Sequence, residues 1–147
     1  MVQCWVWRRV RDAVEVLLLH RHETKGDFWQ PVCGQVEEDE SLLEAVEREI
    51  EEETSLIEFE VDDDVFFKFT FDKDYLTGKT IEPVTEHVFS AELQSDGEDE
   101  QEVNITRNFS DEHDMFRWVS VEDALRMLKW NDNKVALSKF VEKYKVK

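Results

Sequence analysis

The chain has 147 residues, 41% of them hydrophobic, with 10 Phe and 5 Trp, so it is sized for one domain with a substantial core. Its formal net charge of -18 disfavours binding to a nucleic-acid polymer or an anionic membrane. The same charge repels the phosphates of a small molecule unless divalent cations stand between them; a salt-tolerant host is a second source of such acidity.

Taken in chain order, residues 2–10 alternate apolar and polar side chains and predict a strand, with Arg11-Asp12 as a turn. Residues 14–19 form an apolar run short enough for a buried strand. Residues 20–27 read as a polar loop containing Gly26, and 28–34 as a short extended segment whose pairing is limited by Pro31. Ser41 with Glu44 three residues later has the capping-box pattern and predicts a helix from there to about residue 54.

Beyond the helix, residues 57–61 and 65–71 predict two strands, 72–82 a loop and 86–93 another strand. Residues 95–102 read as an acidic surface loop, followed by short strands at 103–105 and 115–119. Helices are expected over 121–128 and from an Asn131 or Asp132 cap to about residue 144. Asp72-x-Asp74 with Gly78 hints at a calcium loop, but Thr77 and Pro83 occupy the places where that loop needs glycine and glutamate. His20, His22 and His87 lack metal-ligand spacing with one another. Two cysteines, no apparent export signal and no long apolar run point to a cytoplasmic protein.

The helix at 42–54 carries the chemistry. Glu49, Glu52 and Glu53 stand at i, i+3 and i+4 and crowd one flank. At roughly 100° per residue, Leu43, Val46 and Ile50 form a separate apolar stripe, while Glu44, Glu47 and Glu51 fall outward. Clustered like charges destabilise a helix and raise one another's pKa, and hard cations relieve this. Arg48, the only basic residue between Lys25 and Lys68, adds a fixed positive charge that can grip a carboxylate with two hydrogen bonds.

The stretch Gly34-x5-Glu40-x7-Arg48-Glu49-Ile50-x-Glu52-Glu53-x-Ser55-Leu56 resembles the box of the Nudix hydrolases, with Ser55 where that family usually has glycine. Phe28-Trp29-Gln30-Pro31-Val32-Cys33 ahead of the box resembles the bacterial dihydroneopterin triphosphate pyrophosphohydrolase branch. So do Glu112-His113 before Phe116-Arg117-Trp118, and the segment from Trp130 to Ala136. The resemblance implies a single Nudix domain over residues 1–147, an α+β fold with a mixed sheet between helices. It also implies hydrolysis of a phosphoanhydride bond in a nucleoside or pterin polyphosphate, using Mg²⁺ or Mn²⁺.

Carried over by motif, Glu49, Glu52 and Glu53 bind metal, with the Cys33 carbonyl and Glu112 as further ligands. Arg48 orients Glu49, and Glu40 braces the loop. One of the helix glutamates or Glu112 is the general base; Asp111 and Asp114 are alternatives to Glu112. Trp29 and Gln30 are expected at the substrate ring, Phe28 in the core, and Arg21 at a phosphate. A small-molecule polyphosphate is the expected partner, and the protein a monomer or homodimer. Rival readings are dinucleoside polyphosphate cleavage, oxidised-nucleotide sanitation, a Nudix-fold binding module and an acidic calcium buffer.

Overall fold

Alternation along two central strands explains the architecture of the computed structural model, which describes residues 1–94, 102–106 and 112–146. In β1 (Val2–Val10), Val2, Cys4 and Val6 face one side of the sheet while Trp5 and Trp7 face the other. In β2 (Ala13–Arg21), Leu17 and Leu19 join the first set, Val16 and Leu18 the second. Each face needs a cover. Ala45, Val46 and Ile50 of α1 (Leu42–Thr54) close the first. Ala124 of α2 (Val121–Met127) and Ala136, Leu137 and Phe140 of α3 (Asn131–Tyr144) close the second. Full burial of each Val, Ile, Leu or Phe side chain among these stabilises the fold by about 1.5–3 kcal/mol.

Among the described residues the sheet has seven strands. The remaining ones are β3 (Trp29–Gln30), β4 (Val32–Gly34), β5 (Phe59–Lys73), β6 (Thr80–Leu93) and β7 (His113–Ser120). Its main path runs β3-β2-β1-β6-β5, with β4 beside β1 and β7 beside β2. β1 and β6 are parallel and the other pairs antiparallel, so the sheet is mixed and lies between helices, an α+β sandwich. No helix among the described residues is long and apolar enough to cross a membrane.

Three expectations need correction. The two strands expected over 57–61 and 65–71 are one long β5, interrupted by a register irregularity between Asp62 and Phe67 that hides its continuity from periodicity. Residues 103–105 form no strand; Val103 is instead buried as a side chain against the first core. The last helix takes Trp130 as N-cap, without a side-chain cap, and Asn131 is already helical. Of the loop expected over 72–82 only residues 74–79 are the turn of the β5–β6 hairpin, the rest being strand; in the turn Asp74 accepts the N–H groups of Leu76 and Thr77, and Gly78 takes φ +70°. The acidic segment 95–101 lies outside the described residues.

Candidate active site

The N-terminus of α1 is fixed as its sequence directs. The Ser41 hydroxyl accepts the Glu44 N–H, and the Glu44 carboxylate accepts the Ser41 N–H. At the other end Ser55 adopts the left-handed conformation, φ 65°, that glycine would occupy without strain. Forcing a side chain there costs about 1–2 kcal/mol. The Ser55 N–H donates to the Glu51 carbonyl and its hydroxyl to the Asn104 carbonyl at 2.9 Å, which offset part of that cost.

Arg48 organises the carboxylates. Its Nε and Nη2 donate to both oxygens of Glu40, at 2.7 and 2.9 Å. Its Nη1 donates to Glu49 at 2.7 Å and to Glu52 at 3.1 Å, and Nη2 also reaches the Gln35 carbonyl at 2.8 Å. The bond from Arg48 holds the Glu40 carboxyl down to about 2. Burial pushes Glu49 up despite its contact with Arg48.

Gly34 explains itself here. β4 presents its Cα to α1, and a Cβ built on it would lie 2.1 Å from the Glu49 carboxyl carbon and 2.2 Å from Oε1. The glycine is the seat of the Glu49 carboxylate. Gly34→Ala is therefore expected to fold but to swing Glu49 off its Arg48 contact, lowering turnover by at least about tenfold. Circular dichroism and initial rates together check this; unchanged turnover would show that Glu49's placement is immaterial.

Glu53 is the deepest of the helix carboxylates, 8% exposed. The Cys33 N–H donates to it, yet among the described residues its buried Oε2 has no hydrogen-bond partner. Burial, then repulsion from Glu49 and Glu112, pushes its pKa well above the carboxylate range. Glu53, Glu112 and His113 bring one ligand atom each within 4.8 Å of one another. An orphaned buried carboxylate oxygen facing a second carboxylate is the donor set that a hard divalent cation completes, so these residues fit the cation that the sequence implies.

β7 sorts the acidic residues near its start. His113 points into the cluster, 2.9 Å from the Gln30 amide, and burial lowers its pKa to about 4, so it is neutral at pH 7. Asp114, one residue on, faces the opposite side and bonds His20 at 2.7 Å; His20 in turn meets Asp27 at 2.9 Å. Asp114 is thus removed as an alternative to Glu112, and Asp111 lies outside the described residues. Glu52 stands at the exposed rim, its side chain 51% accessible.

Beside the cluster opens a cavity of about 330 Å³, lined on the side of the carboxylates by Arg21, Gln35 and Cys33. Its walls are aromatic: Phe28 meets Trp130 edge-on at 5.4 Å, and Tyr75 lies 4.8 Å from Trp130 at 39°. Gln30 lines it. Trp29 does not: the strand alternates, and Trp29 turns to the other face, where it packs on the second core and stacks near His20 at 4.9 Å. Phe28 is buried, as expected of a core residue, and its ring also forms part of the cavity wall. Arg21 stands between cavity and carboxylates, its Nη1 3.9 Å from Glu112. The residues that sequence reasoning missed are Tyr75, in the hairpin turn, and Gln3 and Glu86, which look like ordinary strand positions until β1 and β6 are paired.

Comparison with known proteins agrees with this fold. The NUDIX domain family matches residues 2–140. An octanoyltransferase of Myxococcus xanthus is 35% identical over 115 residues, 77% of this chain, which spans only 28% of that protein. A dihydroneopterin triphosphate diphosphatase of Haemophilus influenzae is 28% identical over 138 residues, covering 89% of this chain and 81% of the other. The solved structure of the E. coli dihydroneopterin triphosphate pyrophosphohydrolase superposes with a TM-score of 0.68 at 26% identity, over 97% of this chain and 95% of that one.

Proposed function

The chain belongs to the NUDIX domain family of pyrophosphohydrolases, and from that premise we propose that residues 1–147 form a single domain that hydrolyses a phosphoanhydride bond of a nucleoside or pterin polyphosphate with Mg²⁺ or Mn²⁺. The observation that carries this is the buried Glu53 oxygen without a partner among the described residues, set near Glu112 and next to an aromatic-walled cavity. When bound, the cation neutralises phosphate oxygens and acidifies water. Glu49, Glu52, Glu53, Glu112 and the Cys33 carbonyl are the residues that would hold it.

The chain's own groups do the rest. Arg48 fixes Glu49 and Glu52 so that negative oxygen is gathered before substrate arrives. Arg21, between ring cavity and carboxylates, meets a phosphate of the chain. Phe28 and Gln30 contact the ring. Glu112, whose side chain is 50% exposed and lies 3.9 Å from Arg21 Nη1, takes the proton from the attacking water. Neutral His113 is held by the buried Gln30 amide and keeps positive charge away from Glu53.

The partner is a small polyphosphate rather than a nucleic-acid polymer or a membrane, in keeping with the charge of -18. The two free cysteines, Cys4 and Cys33, suit the reducing cytoplasm, as a monomer or homodimer. Incubation with nucleoside triphosphates and dihydroneopterin triphosphate should release pyrophosphate and a monophosphate, and chelation by EDTA should stop it. Absence of hydrolysis with every substrate in Mg²⁺ and Mn²⁺ would refute the activity, and a Glu112→Gln rate equal to wild type would assign the base elsewhere.

A further inference from the structure

The chemistry at the carboxylate cluster leaves one buried acid of the cavity unused. Glu86, on β6, is 4% exposed and lines the cavity with Phe28, Tyr75 and Trp130. The parallel pairing of β1 with β6 sets Gln3 beside it. Gln3 is 1% exposed; its Nε2 donates to Glu86 Oε2 at 2.6 Å, and its Oε1 accepts the Trp5 indole N–H at 2.9 Å.

That chain of bonds has a direction. An indole nitrogen only donates, so Trp5 takes the Gln3 carbonyl and obliges the amide to offer its N–H to Glu86. The carboxylate is therefore held through Oε2 in one orientation. Burial among aromatic rings pushes its pKa to about 7. A buried carboxylate is stabilised by donors placed in line with its oxygens, and two adjacent N–H groups satisfy it best.

We propose that Glu86 is the specificity-determining residue of the cavity, reading two adjacent N–H donors on the edge of a flat ring that lies among Phe28, Tyr75 and Trp130. The ring that offers such an edge is the 2-amino-4-oxo pyrimidine unit common to guanine and pterins: a ring N–H next to an exocyclic amine. Hypoxanthine keeps only the ring N–H. The matching edge of adenine sets a ring lone pair against the carboxylate. With the ring seated at Glu86, the polyphosphate leaves past Arg21, Cys33 and Gln35, the side on which Cys33 bonds Glu53 and Gln35 bonds Arg48. The inference deepens the polyphosphate-hydrolase reading and rests on it for that direction.

Binding separates the two. Tryptophan fluorescence of the full chain with Ca²⁺ and the α,β-methylene analogues of GTP, ITP and ATP, which resist cleavage, reports ring recognition without turnover. The guanine analogue is expected to bind at least about 30-fold more tightly than either of the others, the effect of one lost hydrogen bond to a charged group. In Glu86→Gln that preference should collapse, with a gain for the adenine analogue, because an amide offers one acceptor and one donor. Glu86→Asp should keep the order of preference.

Equal affinity of the wild type for the guanine and adenine analogues would overturn the proposal whether or not the variants fold. So would a guanine preference that survives in folded Glu86→Gln. Selective binding without any hydrolysis would leave Glu86 its role and refute only the activity. Relative kcat/KM for GTP and dihydroneopterin triphosphate then tells which source of the shared ring edge is used; a higher value for ATP than for both would overturn the proposal.

Discussion

Glu53→Gln is expected to abolish metal-dependent turnover while making the metal-free protein more stable. Glutamine is nearly isosteric and can still accept the Cys33 N–H, but it removes the anionic oxygen that lies buried without a partner. Loss of several kcal/mol of charge stabilisation at the phosphates corresponds to about 10³-fold in rate.

The stability effect follows from the raised pKa. A carboxyl whose folded-state pKa lies above its unfolded value holds its proton more tightly when folded. Its contribution to stability is fully present below the unfolded pKa and is lost as pH rises through the folded one. Burial, then Glu49 and Glu112, raise Glu53 well above the carboxylate range. The variant should therefore melt higher than wild type at pH 8 in EDTA, and the gap should shrink towards pH 5. Saturating Mg²⁺ should raise the melting temperature of the wild type but scarcely that of the variant. A Glu53→Gln protein with wild-type turnover and the same Mg²⁺-dependent shift would show that Glu53 holds no cation.

Arg48→Lys is the second large effect, expected to lower kcat/KM by about 100-fold although charge is conserved. Lysine is a point donor, whereas the guanidinium of Arg48 reaches Glu40, Glu49, Glu52 and the Gln35 carbonyl together through a planar fork. A lysine can hold one or two of these groups, so the loop at Glu40 and the carboxylate of Glu49 become independently mobile. Losses of this size are typical when residues that orient metal ligands are removed. The loss should also appear as weaker Mg²⁺ activation, which titration of the rate with Mg²⁺ measures. An unchanged Mg²⁺ requirement and rate would reduce the arginine to a surface ion pair.

The linear sequence made this cluster legible because its geometry is local. Spacings of one, three and four residues along a helix fix which side chains share a flank, whatever the rest of the chain does. Gly34 and Ser55 were legible as positions but not as causes. The glycine is required by a contact with Glu49 fifteen residues away in sequence, and the serine accepts a left-handed backbone with help from Asn104. Trp29 was assigned to the wrong face because a two-residue strand carries too little pattern to show which side meets the cavity. The single long β5 read as two because a register irregularity breaks its alternation.

By itself, then, the sequence determined the carboxylate helix, its capped start, its arginine and the two-faced strands of the core, all consequences of short-range periodicity. The tertiary structure alone decided which side chains line the cavity. Its cavity joins β1, β6, a hairpin turn and the start of α3, so Gln3, Tyr75, Glu86 and Trp130 become neighbours only through sheet pairing and helix packing. A side chain's spacing along the chain carries no record of such a neighbour, because strand register is settled by the burial of both sheet faces at once.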